Sequence, residues 1–436
     1  MDELFYVSAT TLARRIRDRE LSSEEVVQAH LRRIEVVNPR LNAVVQLAGE
    51  QALEDARAAD AALAHGQPIG ALHGVPFTVK DWIDAAGLPC TGGDLAFRTR
   101  VPTEDATVVA RMRQAGAILL GKTNVMVGNP VYGRTNNPYN LAYSTTGSSS
   151  GEAALIAAGG SPIGLGSDSG GSIRQPAHAC GIAGLKPTTG RIPLMGHFPF
   201  IGAMNDPRTS IGPMARFVED LALALPILSG VDWKDASVIP MPLADWRAVD
   251  VRTLRVATYT HHAEAEPTPE TAETCRRTAH VLAGMGARVE EALPPRIEEA
   301  SHITRQYWQR PESASADEWV ADGEARLSSV EVEQHLFTWD RFRRALIGFM
   351  AHYDVILTPV AERPATAHDA DAGWIPYTLP YSLTGWPCVV VRAGTAPEGL
   401  PIGVQIVARP WRDDVALAVA QVIERSLGGW QPPTFN

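Results

Sequence analysis

The stretch Thr145 to Thr188 constrains this chain more than any other. It holds two serine-bearing glycine clusters, GSSSG (Gly147 to Gly151) and SGGS (Ser169 to Ser172), with an apolar, alanine-rich run between them. Glycines let backbone approach a ligand closely and adopt positive φ. Small residues leave backbone N–H groups free to face a developing negative charge. A loop that offers hydroxyls and bare amides, stiffened by an internal helix, suits acyl transfer and packs a core poorly.

The surrounding chain has the material for one large unit. With 436 residues, 45% of them hydrophobic, it can bury a sizeable core. Strand-like segments alternate with helical ones, which predicts an α/β fold with helices on both faces of a sheet. The capping box Ser22 to Glu25 starts a helix expected to end at Asn38-Pro39. Helices are expected over 51–65, 105–116, 218–228 and 268–285, and strands over 43–47, 117–120, 254–258 and 353–359. Residues 294–350 read as polar helices carrying Trp308, Trp319 and Trp339. These tryptophans are either helix-packing aromatics or a wall of a substrate pocket.

Charge and cysteine usage exclude several function classes. A net charge of −10 argues against a nucleic-acid or anionic-membrane surface. The basic cluster Arg341, Arg343 and Arg344 reads as a solvated helix face. Cys90, Cys180, Cys275 and Cys388 form no CxxC pair and no metal-ligand spacing, so reduced, buried thiols are expected. No signal-peptide pattern and no apolar run of membrane-spanning length is visible, and a cytoplasmic protein is the expectation.

Two motif matches lead elsewhere. Gly116 to Thr123 fits GxxxxGK[ST], but its intervening AILL is an apolar strand where a phosphate-wrapping loop is required. Gly147 to Gly151 fits G-x-S-x-G, which would make Ser149 the nucleophile of an α/β-hydrolase elbow; the segment before it, NLAYSTT, is weak as the required strand. His178, near Ser172 in sequence, is read as packing or hydrogen-bonding locally. Lys80 closes the strand-like segment Phe77 to Lys80. Read alone, it is a surface lysine or an ion pair with Asp81, since burying an ammonium is costly.

The combination of segments resembles the amidase signature family. The matching segments are GVPFTVKD (Gly74 to Asp81), GKTN (Gly121 to Asn124), GSSSGEAAL (Gly147 to Leu155), GLGSDSGGSIRQPA (Gly164 to Ala177) and CGIAGLKPT (Cys180 to Thr188). GPMAR (Gly212 to Arg216), YDVILTP (Tyr353 to Pro359) and GLPIGVQIV (Gly399 to Val407) match as well. The resemblance spans nearly the whole chain and implies a single amidase domain over 1–436, with its signature core at about 70–230. The implied fold is a large mixed, twisted β-sheet covered by helices on both faces.

The resemblance also implies a Ser–Ser–Lys triad. Ser172 would be the nucleophile, Ser148, after a cis peptide, the bridging serine, and Lys80 the base. The backbone amides of Ser169, Gly170, Gly171 and Ser172 would form the oxyanion hole. Ser149, Asp168, Arg174, Thr123 and Asn124 would support these loops, while Val125, Tyr132 and Trp82 would line the pocket. A lysine base must be neutral, because an ammonium has no lone pair. The sequence departs from the family pattern at Thr146 and Ser150, where glycine is usual, at 125–127, and at Glu152, which resembles the fatty-acid-amide-hydrolase-like branch.

The implied activity is hydrolysis of C–N bonds in fairly bulky, uncharged amides, with esters and carbamates as further substrates. The implied enzyme needs no metal or organic cofactor, binds a small molecule, and is a monomer or homodimer. The alternative within the same fold is an ammonia-producing component of a glutamine-dependent tRNA amidotransferase working with partner subunits.

Overall fold

The structure, a computed structural model, describes residues 4–199, 206–309, 327–370 and 373–434. Its strands are β1 (Val44–Leu47), β2 (Pro76–Lys80), β3 (Ile118–Thr123), β4 (Gly128–Asn129), β5 (Gly133–Arg134), β6 (Ile163–Asp168), β7 (Ala183–Lys186), β8 (Ser210–Ala215), β9 (Arg255–Thr258), β10 (Arg288–Glu291), β11 (Val355–Pro359), β12 (Cys388–Thr395) and β13 (Pro401–Ala408). Eleven of these form one sheet in the order β1-β3-β2-β6-β8-β7-β12-β13-β11-β9-β10, and β4 and β5 pair separately as a hairpin. The sheet is mixed. β2 runs parallel to β3 and β6, and β9 parallel to β10 and β11, while the strands from β6 through β13 to β11 pair antiparallel.

Side-chain alternation buries both faces. Leu119 joins one hydrophobic cluster while its neighbours Ile118 and Leu120 join another; Val355 and Leu357 likewise part from Ile356. The first face is covered by the helices Ala9–Arg17, Thr107–Gln114, Val218–Leu228, Pro269–Gly284 and Asp413–Leu427, which share the cluster of Phe77, Val79 and Leu165. The second face carries the helices Ser150–Ala157 and Arg174–Ala179 and the C-terminal part of Ser329–Met350. All four cysteines are free and buried.

Two expectations about local structure need correction. The helix that starts at the Ser22 capping box runs past Asn38-Pro39 to Leu41. Pro39 sits in the last turn, and Asn42 in the left-handed region (φ 52°) ends the helix. Asn38 Oδ1 meanwhile accepts from the amides of Ala43 and Val44, turning the chain into β1. The second correction is that the stretch between the serine clusters is more than a loop around a helix. It contains β6, at the centre of the β2-β6-β8 portion of the sheet. Ser210–Ala215, for which the sequence sets no expectation, is also a strand, although it contains Pro213.

Residues 294–350 include the helices Glu299–Tyr307 and Ser329–Met350. Trp339 is buried and donates to Leu383 O at 2.8 Å, Trp308 is half exposed and meets Trp374 edge-on, and Trp319 lies outside the described residues. Arg341, Arg343 and Arg344 are exposed.

Candidate active site

Lys80 ends β2, and the alternation of that strand decides its surroundings. Phe77 and Val79 enter the core of the first face, so Thr78 and Lys80 point to the second, toward the helix Ser150–Ala157. Lys80 is fully buried. Its Nζ lies 2.6 Å from Ser148 Oγ, 3.1 Å from Ser167 Oγ and 3.4 Å from Ser167 O. The Trp82 ring lies 4.1 Å away. Burial pushes the Lys80 pKa well below that of a free lysine, against the opposing fields of Asp168 and Glu152.

The neighbouring Asp81 takes no part in this. Its carboxylate accepts from Thr91 Oγ1 and from the amides of Thr91 and Gly92, and lies 3.5 Å from Lys122 Nζ. The lysine of the GKT sequence is therefore a buried structural cation at the end of β3, where its Nζ also donates to Ile83 O.

Ser148 follows a cis peptide at Gly147 and is almost fully buried. Its carbonyl accepts from the Met126 amide at 2.9 Å. Ser149 is wholly buried at the start of the helix; its amide donates to Ser172 O at 3.2 Å, and its Oγ lies 3.4 Å from Ser167 O. The first bond ties the two serine clusters together, and the second ties Ser149 to β6. No strand leads into Ser149 among the described residues, so the strand–turn–helix setting of a nucleophile elbow is missing.

Ser172 is half-buried, between β6 and the helix Arg174–Ala179. Asp168, the last residue of β6, organises the loop. Its Oδ2 accepts from the amides of Ile173 and Arg174, and its carboxylate receives Arg174 Nε and Nη2, each at 2.9 Å. Burial alone would raise the Asp168 pKa, but the Arg174 guanidinium, assisted by Lys186, holds it below the usual carboxylate value. Arg174 reaches on to Thr378 O, Ser382 Oγ and Gln405 Oε1. The arginine thus fastens the serine loop to the segment 375–383.

Gly171 has a φ of 148°, and a Cβ there would stand 2.7 Å from Thr378 Oγ1, so the close approach requires glycine. Thr378 Oγ1 donates to Gly170 O at 2.6 Å. Ser169 hydrogen-bonds through its hydroxyl to Thr209. Ile375 and Leu379 lie against Gly170, giving this segment an apolar wall.

Other sequence candidates fall around this centre. Thr123 Oγ1 donates to Glu152 at 2.7 Å. Asn124 joins Asn42 O, Gly133 O and Asn129 through its side chain and Ala43 O and the Gly151 amide through its backbone. Trp82 adjoins Lys80 and donates to Gly92 O. Val125 is fully buried. Tyr132, beside the β4–β5 hairpin, receives Gln46 Nε2 on its hydroxyl, and its carbonyl accepts from Asn42. Neither Val125 nor Tyr132 is in hydrogen-bond contact with the Lys80–Ser148 pair. His178 bonds not locally but to distant backbone: its Nδ1 accepts from the Gly403 amide at 2.9 Å and its Nε2 lies 3.0 Å from Arg363 O.

A family model described as Amidase matches residues 25–327 and 309–417. The chain belongs to the amidase signature family. The acylamidase of Rhodococcus erythropolis is 33% identical over 467 residues, covering 97% of this chain and 95% of its own. A component of the glutamyl-tRNA(Gln) amidotransferase of Moorella thermoacetica is 33% identical over 480 residues, covering 97% of each chain. Among solved structures, a fatty acid amide hydrolase superposes with a TM-score of 0.87 at 25% identity, over 98% of this chain and 87% of that chain. This chain is therefore an amidase-family enzyme with the large mixed sheet and flanking helices expected of it. No helix among the described residues is long and apolar enough to cross a membrane.

Within this amidase-family site, four residues near the centre escaped the sequence reading. Ser167 adjoins Lys80, His197 adjoins Ser167 at 2.9 Å, Thr378 holds Gly170 O, and Thr209 holds Ser169. Only Ser167 left a usable signal, a hydroxyl immediately before Asp168 inside a matched segment. Glu152, noted as a departure from the family, turns out to be buried between Thr78 and Thr123, with Gly164 beneath it.

Burial raises the Glu152 pKa to about 7, although bonds from Thr78 and Thr123, and Lys80 whenever it is protonated, oppose this. The folded-state pKa lies above the unfolded value of 4.5, so its contribution is fully present below 4.5 and is lost as pH rises through about 7. The isosteric Glu152→Gln variant has no such loss. Relative to wild type it should gain about 2.5 kcal/mol between pH 5 and pH 8 in urea denaturation. An unchanged difference between the two pH values would show that Glu152 titrates alike in both states.

Proposed function

We propose that the protein is an amidase that hydrolyses fairly bulky, uncharged aryl or alkyl carboxylic amides through an acyl-enzyme on Ser172. The observation that carries this reading is the fully buried Lys80 amine, 2.6 Å from Ser148 Oγ and, among the described residues, without a carboxylate in contact. Such an amine, its pKa well depressed, is neutral and able to take a proton.

Lys80 withdraws the proton of Ser148, which takes that of Ser172, and Ser172 Oγ attacks the substrate carbonyl carbon. The amides of Ser169, Gly170, Gly171 and Ser172 receive the oxyanion; each such donor is worth roughly 3–4 kcal/mol. The proton returns through Ser148 to the leaving nitrogen, because an amine leaves poorly unless protonated. The C–N bond breaks, water attacks the acyl ester, and Ser172 is restored. Esters and carbamates enter the same sequence. Asp168 and Arg174 hold the oxyanion segment, and Ser149 holds the two serine clusters in register. The whole chain acts as one amidase domain with a signature core at about 70–230, and residues 294–350 contribute to the pocket.

Ile375 and Leu379 against Gly170 support an apolar substrate. The relatives named as amidotransferase components favour a second reading, ammonia release from glutamine for a partner protein. A panel of anilides, aliphatic amides, nitrophenyl esters, aryl carbamates and glutamine separates the two. The bulky apolar amides should exceed glutamine in kcat/KM by roughly tenfold or more. Glutamine as the best substrate would establish the second reading instead.

A further inference from the structure

We propose that His197 is a positioning residue that keeps the lone pair of Lys80 free for Ser148, an inference that rests on Lys80 being the base. The segment around His197 is laid antiparallel against the chain just after β2. The Asp84 amide donates to Gly196 O at 2.8 Å, the Phe198 amide donates to Trp82 O at 2.7 Å, and Ile83 pairs with His197 between them. The imidazole is only 4% exposed and meets the Trp82 ring edge-on.

The partners of the ring settle where its proton sits. Nδ1 lies 2.9 Å from Pro199 O, which can only accept, so Nδ1 carries the hydrogen. Burial pushes the His197 pKa down to about 4, against the pull of Pro199 O. The ring is therefore neutral in the working range, and Nε2 is an acceptor. Nε2 lies 2.9 Å from Ser167 Oγ, so Ser167 donates its one hydroxyl proton to His197.

That choice fixes the polarity of the next contact. Ser167 Oγ, 3.1 Å from Lys80 Nζ, has only lone pairs left to offer it. A neutral amine carries two N–H bonds and one lone pair. Ser167 Oγ and, at 3.4 Å, Ser167 O receive the two N–H bonds, and the lone pair faces Ser148 Oγ at 2.6 Å. Without the acceptor at position 197, the Ser167 hydroxyl can turn its proton onto the Lys80 lone pair. It would then compete with Ser148 for the base.

The test measures kcat and KM for His197→Leu, His197→Gln, Ser167→Ala and the double variant His197→Leu/Ser167→Ala, with Lys80→Ala as reference. Thermal melts check that each is folded. His197→Leu should lose about tenfold or more in kcat with little change in KM, since it removes proton-transfer efficiency and touches no substrate. His197→Gln, whose amide oxygen can accept from Ser167, should retain most of the activity. In the Ser167→Ala background, His197→Leu should have no further effect, because no hydroxyl remains to be misdirected. Wild-type kcat in His197→Leu, equal losses in the Leu and Gln variants, or an undiminished loss in the Ser167→Ala background would each overturn the proposal. An active Lys80→Ala would overturn it together with the base assignment, whereas an inactive Lys80→Ala beside a fully active His197→Leu would overturn it alone.

Discussion

Lys80→Ala is expected to lower kcat by roughly 10²–10⁴-fold, the range general-base catalysis covers, while the protein stays folded. The folded state should tolerate the change because, among the described residues, Lys80 forms no salt bridge and contacts Ser148, Ser167 and the Trp82 face. The wild-type pH profile carries the same prediction. The Lys80 pKa in the folded protein is depressed, so the amine is neutral and active above that value and protonated and inactive below it. Activity should therefore rise with pH through a midpoint well below that of free lysine and then level off. The alanine variant should lack that acid limb. Near-wild-type turnover by Lys80→Ala would remove the amine from the mechanism.

Ser172→Ala has the second large expected effect. Without the hydroxyl no acyl-enzyme can form, and turnover should fall by several orders of magnitude, leaving only the background supplied by binding and the oxyanion segment. The substitution removes one oxygen from a half-buried position whose backbone carbonyl, not its hydroxyl, accepts the Ser149 amide. Substrate binding should therefore persist, and a non-hydrolysed amide should still protect the variant against thermal unfolding. Loss of folding in Ser172→Ala would instead assign the hydroxyl a structural role.

The residues that adjoin one another in sequence were the legible part of this site. Asp168 and Arg174 share one loop, Ser148 and Ser149 one turn, and each pair carries a recognisable glycine-rich context. The helix Val218–Leu228 and the capping box at Ser22 and Glu25 were legible for a similar reason, because local propensity and tertiary structure agree there.

Where they disagree, the sequence misled. β6 reads IGLGSD, with Ile163 its one β-branched residue. Gly164 and Gly166 are there because Glu152 and Ser149 press onto that face of the sheet. β8 contains Pro213, which argues against an interior strand until its neighbours are known. His197 and Thr378 were invisible for another reason. His197 touches the site through a hydrogen bond to Ser167, 30 positions away, and Thr378 through bonds to Gly170 and Arg174, 208 and 204 positions away, and nothing in their own surroundings marks it.

The most direct test of the account is to find which serine carries the acyl group. The protein is reacted with a fluorophosphonate, which captures an activated serine, and the adduct is located by peptide mass spectrometry. A single adduct on Ser172 is expected, greatly slowed in Lys80→Ala and absent in Ser172→Ala. An adduct on Ser149, or labelling that persists after Ser172 is replaced, would contradict it.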